Sequence, residues 1–410
     1  MPNLLITPLW TLKRVGRIAI NNLKFANNVD RSYDDEFEQA GAKMGDTINL
    51  RLPWQPITTK GQAFQQQSVV DRIVPVTLTD QANCAIGFSS FQMTVDVDDY
   101  TSRYITPQAV QLANTIDFDG LARVPLETYN AVGTLGTPPT DNDVYLSAAT
   151  TLSNMAAPPD RMVITSPKMQ QKITAANFSS FNPARPISES WKKGVYASDM
   201  LGFNDWYWDQ NVGQFTNATY AGTPLVNGAN QTGASLVTDG WTSGSTTLLV
   251  GTRFTLGAAS GGAASTGVFS VNPQNRQSTG ELQVFVVTAT VSDTTGALTA
   301  TISPSIITSG QFQTVTASPV DNAVITVLGQ SAAVGTIGFA WVKEAVVMVM
   351  ADLVKPEGGA ISERISSKPL GFSLRMAKQW QALTDQNLCR VDCIYGWKNY
   401  RPEWTTVIYG

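Results

Sequence analysis

The sequence predicts an α+β protein with an all-β, barrel-like domain inserted into it. Three observations lead there. Between Asn211 and Ala340 only Asp239, Arg253, Arg276, Glu281, Asp293 and Asp321 carry charge, and lysine is absent. In the same block fall 17 of the chain's 32 glycines, among Thr, Ser, Val and Ala, which is the composition of short strands joined by tight turns. On both sides the chain is mixed in charge and alternates helical with strand periodicity. Only about 70 residues follow the block, too few to be a domain of their own.

The totals narrow the function classes. A chain of 410 residues can hold two or three cores, and 43% hydrophobic with 15% charged residues argues against wholesale disorder. A net charge of -4 gives no electrostatic case for nucleic-acid affinity. Three cysteines, Cys84, Cys389 and Cys393, cannot all pair within one chain and read as reduced thiols of a protein made in a cytosol. Histidine is absent, which removes Ser-His-Asp and Cys-His catalysis and His-containing zinc sites. At the start of the chain the basic cluster Lys13, Arg14 and Arg17 follows the apolar residues, the reverse of a secretory signal. The longest apolar run elsewhere, Ala345 to Ala351, is far short of a membrane span, so no membrane segment is predicted.

In chain order, Leu9, Leu12, Val15, Ala19 and Leu23 fit one helical stripe, with Lys13, Arg14, Arg17 and Lys24 largely off it. A polar, turn-rich connector follows. TINLRLP (47–53) and DRIVPVTLTD (71–80) alternate as strands around the Gln-rich stretch 58–68, and read as an extended hairpin with little core of its own. Such a protrusion makes sense reaching onto a neighbour. Thr106-Pro107 opens a helix carrying Ala109, Leu112, Ala113 and Ile116 on one face, expected to kink or end at Pro125. A second helix covers VYLSAATTLSNMA after TPPTDND (137–143). RMVIT (161–165) reads as a strand, and Ser166-Pro167 opens a third helix with Met169, Ile173 and Ala176 on one face. SDMLGFNDWYWDQ (198–210) is aromatic and extended.

Inside the charge-poor block the runs STTLLVGTRFTLG, ELQVFVVTATVS, ALTATISPSI, FQTVTAS and NAVITVLG read as five strands of a small barrel or sandwich. The low-complexity stretch 257–267 reads as a mobile loop. FAWVKEAVVMVMADL then resumes the aromatic, extended character of 203–210. In the final segment Cys389, Val391, Cys393 and Tyr395 share one strand face, before a turn and a last strand around Val407.

This order of parts resembles the major capsid proteins of tailed bacteriophages with the HK97-type fold, and most of all the P22-like coat proteins with an inserted domain. The resemblance is carried by the basic arm, the hairpin 47–80 in the place of the E-loop, and the helix from Thr106 in the place of the spine helix. MVITSPKMQQKI (162–173), the two aromatic stretches bracketing the insertion, and the ending CRVDCIYGWKNYRPE with its Arg401-Pro402-Glu403 also contribute. The sequence departs from the family's pattern at Pro125 and in the charge of its arm. The resemblance implies an N-terminal arm (1–32), an E-loop hairpin with flanking strands (33–96), a P-domain with the spine helix (97–160) and a first A-domain part (161–211). An inserted β-barrel (212–337), a second A-domain part (338–388) and C-terminal P-domain strands (389–410) complete it.

It further implies a structural protein, not an enzyme. Self-association into the hexamers and pentamers of an icosahedral shell would enclose double-stranded DNA without sequence specificity. A scaffolding protein would assist assembly, a portal would occupy one vertex, and a decoration protein is left open. The protein would reside in the virion capsid after synthesis in the bacterial host cytoplasm. The alternative, a β-rich phage decoration or adhesion protein, fits the helices and the split domain poorly. The insertion is expected to stabilise the subunit fold or lateral contacts and not to bind DNA.

No catalytic, cofactor-binding or metal-ligating residue is assigned, and no cofactor. Cys389 and Cys393, a C-x3-C pair, read as core packing, since nothing near them in sequence completes a tetrahedral set. Lys60 at the hairpin tip is the one candidate for the isopeptide crosslink that the resemblance brings with it, against the ordinary reading of a solvated loop lysine. The arm cations are candidates for an acidic scaffolding partner or DNA, against a solvated helix face. Asn177, Asn217 and Asn230 open chance matches to glycosylation acceptors.

Overall fold

The computed structural model describes residues 23–32, 47–58, 60, 61, 66–89, 104, 106–176, 200–259, 262, 263, 266–356, 361–365 and 373–410. Two compact units are present, each assembled from three separated stretches: 1–50, 73–120 and 346–398 in the first, and 51–72, 121–345 and 399–410 in the second.

In the first unit the strands Val346–Ala351, Gln386–Asn399, Leu374–Gln381 and Ile361–Ile365 pair in that order, and Asp80–Ser89 pairs with Gln386–Asn399. Leu374, Met376, Cys389, Val391, Cys393 and Tyr395 are buried, so the face read from alternation does turn inward. The helix Thr106–Glu127 buries Ala109, Leu112, Ala113 and Ile116, the expected stripe. Gly120 is required by a close approach: a Cβ there would lie 2.8 Å from the Trp397 ring, which stacks on Phe25 at 5.2 Å. The helix is not broken at Pro125 and runs to Glu127. A proline in the last turn forfeits a hydrogen bond where the helix is about to end, so it is tolerated there.

In the second unit a mixed sheet runs Ala131–Val132, Thr405–Tyr409, Val334–Val342, Arg161–Thr165, Asp205–Trp208. The helices Asn142–Asn154 and Pro167–Ala176 start where the sequence indicated. Asp141 accepts from the Asp143 amide at 3.3 Å, and Ser166 Oγ accepts from the Met169 amide at 3.2 Å. Tyr145, Leu152, Met169 and Ile173 of these helices pack with Val163, Trp206, Ala340 and Ile408 of the sheet. Of the last two strands, Gln386–Asn399 belongs to the first unit's sheet and Thr405–Tyr409 to the second's.

The charge-poor block folds into a closed six-stranded barrel, in the order Arg253–Ala259, Val284–Val287, Leu298–Ile306, Gly233–Trp241, Gly222–Val226, Ala323–Val327. Along Leu298–Ile306 the side chains of Leu298, Ala300 and Ile302 point inward while Thr299 and Thr301 face out, the alternation a barrel wall demands. Phe254 and Phe285 stack at 5.9 Å within its core.

Four of the five expected runs are barrel strands, and two corrections follow. FQTVTAS is not a strand; Thr314 caps the neighbouring chain instead, its hydroxyl donating to Ser305 O at 2.6 Å, and Val315 is buried under it. Gly222–Val226 and Gly233–Trp241 were missed, because Pro224, Asp239 and the glycines disguise them. Those glycines are structural: a Cβ on Gly222 would lie 2.5 Å from Gly240 O, and one on Gly240 would lie 2.4 Å from Thr223 O, at a bulged crossing of the two strands.

Candidate functional site

Three places stand out: the hairpin with its connection, the neck of the insertion, and the anchor of the N-terminal arm. The hairpin strands Thr47–Leu52 and Arg72–Thr77 pair with each other, and the connection 53–71 exposes Trp54, Val69 and Val70. Its root is held from the barrel's 307–314 loop. Trp54 Nε1 donates to Gln311 Oε1 at 2.9 Å, and the Arg72 guanidinium lies 5.2 Å from the centre of the Phe312 ring. Tyr400 Oη donates to Arg51 O at 2.5 Å from the other side.

The neck is built from Gln214–Thr216 paired against Val334–Thr336, so the chain enters and leaves the barrel side by side. The strand Val334–Val342 then continues into the host sheet, which is why one element spans both. Asn217 locks the crossing: its side-chain amide donates to Leu328 O at 3.1 Å and to Gln330 O at 3.0 Å. Gly335 admits no side chain, since a Cβ there would meet Gly410 O at 2.3 Å.

Arg253, at the start of a barrel strand, is fully buried. Its Nε donates to Thr128 O at 2.8 Å, and Nη1 to Gly251 O and Tyr409 Oη, both at 3.0 Å; Nη2 donates to Pro125 O. Thr128 and Pro125 lie at the C-terminal end of the helix Thr106–Glu127, where carbonyls lack intrahelical partners and the helix dipole is negative. The guanidinium fork therefore compensates a helix end in place of a carboxylate, and among the described residues no acid forms an ion pair with it.

The arm enters the first unit through Lys24, Phe25 and Ala26. Their backbone amides donate to the Asp117 carboxylate at 2.7, 3.3 and 2.9 Å. The main chain at Asp30 then bridges to Val346 O and the Met348 amide. Asp117 is buried on the helix face beside Ile116. Sequence reasoning missed it; the available signal was a carboxylate sitting on an otherwise apolar stripe.

Known proteins supply the remaining observation. A family model described as "P22 coat protein - gene protein 5" matches residues 17–408. The chain belongs to the P22 coat protein family. No curated protein matches it significantly. Solved structures that resemble it include one described as Mycobacterium phage Che8, with 12% identity, 94% of this chain and 90% of that one covered, and a TM-score of 0.47. The capsid of the cyanophage P-SCSP1u shares 11% identity over 89% of this chain and 83% of that chain, at a TM-score of 0.45. The mature capsid of bacteriophage PhiM1 shares 8% over 90% and 82%, at 0.43.

As a member of the P22 coat protein family, the chain is a major capsid protein that forms a phage shell and resides in the virion capsid. The α+β class with an inserted barrel is the one that the resemblance implied. Within this coat protein, Cys389 and Cys393 are buried on one strand, and Cys84 lies half-buried on the next. Burial and the neighbouring Asp392 push the Cys393 thiol up to about 12, so it is neutral near pH 7. Among the described residues no group of three or more metal-ligating side chains occurs. Lys60 is exposed, beside Gly61 at φ 126. Asn217 is buried in the neck and Asn230 sits in a left-handed turn. Lys13, Arg14, Arg17 and Asn177 lie outside the described residues.

Proposed function

We propose that this coat protein builds an icosahedral shell of hexamers and pentamers around the double-stranded DNA of a tailed bacteriophage. A scaffolding protein assists its assembly in the host cytoplasm, and a portal takes one vertex. It acts by packing and not by catalysis. The domain order is that of the family, with the arm, E-loop, P-domain, split A-domain and inserted barrel over the ranges given above.

The observation that carries this reading is the match of the coat-protein family over residues 17–408, joined to a hairpin whose strands bury Ile48, Leu50 and Val76 while its connection exposes Trp54, Val69 and Val70. A shell needs many contacts, each weak enough to correct and together large enough to persist. Interfaces of roughly 1,200–2,000 Å² per pair, repeated around each subunit, supply that balance. A slightly acidic wall suits the purpose too, because a strongly cationic one would bind the genome through counterion release and hinder packaging.

Electron microscopy of the protein expressed alone and with a scaffolding protein is the test. Closed shells or curved sheets are expected, and a strictly monomeric or trimeric species would overturn the reading. Boiled, denatured particles should run as a single 44.2 kDa band, with Lys60 uncrosslinked; a ladder of covalent oligomers would assign it the isopeptide role. Deleting 214–336 behind a short linker should impair folding or shell size, which places the barrel in the building plan.

A further inference from the structure

The hairpin made by Leu374–Gln381 and Gln386–Asn399 ends in the turn 382–385, and Leu383 at its tip is 94% exposed. Trp380 at 57% lies on one face of the hairpin behind it and Leu388 at 40% on the other, since Trp380 pairs with Asn387 and Leu388 with Gln379. Single exposed apolar residues are ordinary, but three of them around one turn form a point that water solvates poorly. The turn is also held rigidly. Gln381 pairs with Gln386, Asp385 takes a left-handed conformation at φ 48, and Trp380 Nε1 donates to Asp385 Oδ1 at 3.3 Å. A pre-ordered knob loses little conformational entropy when it docks.

The second unit carries a concave counterpart. A groove of about 400 Å³ lies at the root of the hairpin 47–77, walled by Trp54, Met155, Phe312 and Trp404 with Arg72 and Arg401 at its sides. The Arg401 guanidinium lies 4.1 Å from the Trp404 ring centre, and its Nε is buried without a hydrogen-bond partner. Glu403 is the acid of this groove; burial pushes its carboxyl up while Arg72 and Arg401 pull it down, and the two guanidinium groups outnumber the one carboxyl.

We propose that the 382–385 turn of one copy docks into this groove on a second copy, with Leu383 among the aromatic walls and Asp385 toward Arg72 and Arg401. The occupant is a second copy because this chain forms a shell, and shells need heterologous contacts in which one patch meets a different patch. Shape and charge complement each other: an apolar knob with an acid at its base, an aromatic hollow with two guanidinium groups at its rim. The inference rests on the self-assembly reading above.

The test co-assembles subunits carrying L383C with subunits carrying Q274C, a groove-lining position, under mild oxidation. A disulfide-linked dimer is expected from the mixture and from neither variant alone, because a turn-to-groove contact joins unlike sites. Shells that form from the mixture without that dimer would overturn the proposal while leaving the shell reading intact. As a second measurement, L383D should lower shell yield by about tenfold with the circular dichroism of the subunit unchanged, whereas L383M should assemble normally. Normal yield from L383D would also sink it. If the unmodified protein formed no shells under any condition, this inference and its parent reading would fall together.

Discussion

Arg253 Nη1 donates to Tyr409 Oη at 3.0 Å, and the guanidinium lies 5.6 Å from the centre of the Tyr409 ring. Arg253 begins a barrel strand and Tyr409 ends the last strand of the host sheet, so one side chain couples insertion to host. Replacing Arg253 by Met would remove the side-chain donor from the carbonyls of Thr128 and Gly251 and leave Pro125 O with the Thr128 amide alone. Truncating a buried charged group of this kind costs about 3–5 kcal/mol, and urea denaturation of the subunit should show it. R253K keeps the charge but not the planar fork, so it should recover only part of the loss. A loss below about 1 kcal/mol in R253M would refute the coupling role.

Asp117 should matter for the arm. D117A removes the acceptor of three backbone amides, which at net charge-assisted values amounts to about 2–3 kcal/mol. Limited trypsinolysis should then cut after Lys24 faster than in the parent. D117N retains one carbonyl oxygen and should fall between the two.

Asp392 is fully buried and held by Arg375 from Nε at 3.0 Å and Nη2 at 2.5 Å, with Arg390 Nε also at 3.0 Å. D392A should lower stability by about 3–5 kcal/mol, since it leaves the largely buried Arg375 uncompensated. R390M should cost no more than about 1 kcal/mol, because that side chain is 43% exposed and solvent screens it. Chemical denaturation of the two variants separates them, and equal losses would refute the difference.

Cys393 predicts a pH dependence. Its folded value near 12 exceeds the ordinary thiol value of about 8.5, so the folded state resists losing the proton. The stabilisation is complete below about pH 8.5 and declines as pH rises toward 12. Native protein should not react at this thiol at pH 8 and should react rapidly once unfolded. Mass mapping of alkylated peptides reads the outcome, and prompt native labelling at Cys393 would contradict it.

Much of the architecture was legible where local chemistry and periodicity agree. Ser166-Pro167 announced a helix because the Ser hydroxyl caps it, and RMVIT marked a strand because both its faces are packed. The barrel was legible as a region and less so strand by strand. Pro224 and Asp239 lie on wall strands whose curvature and bulge make room for them, and no local pattern encodes a bulge that only the facing strand requires. FQTVTAS erred the other way: it alternates like a strand but serves as a strap, with Thr314 satisfying the chain beside it. The site residues were the least legible. Arg253 stood out as one of six charges in its block, and nothing in the sequence pointed to Thr128, Pro125 and Tyr409 as its partners.

The sequence by itself determined the α+β class, the inserted β-rich domain, the helix starts and the absence of histidine chemistry. These depend on residues close together in the chain, or on composition alone. Only the tertiary structure decided that the barrel closes with six strands, that Pro125 lies within its helix, and that the last strand pairs with Val334–Val342. It alone decided that Asp117 anchors the arm. Each of these is settled by contacts between residues some sixty or more positions apart, whose burial and hydrogen bonding no local pattern contains.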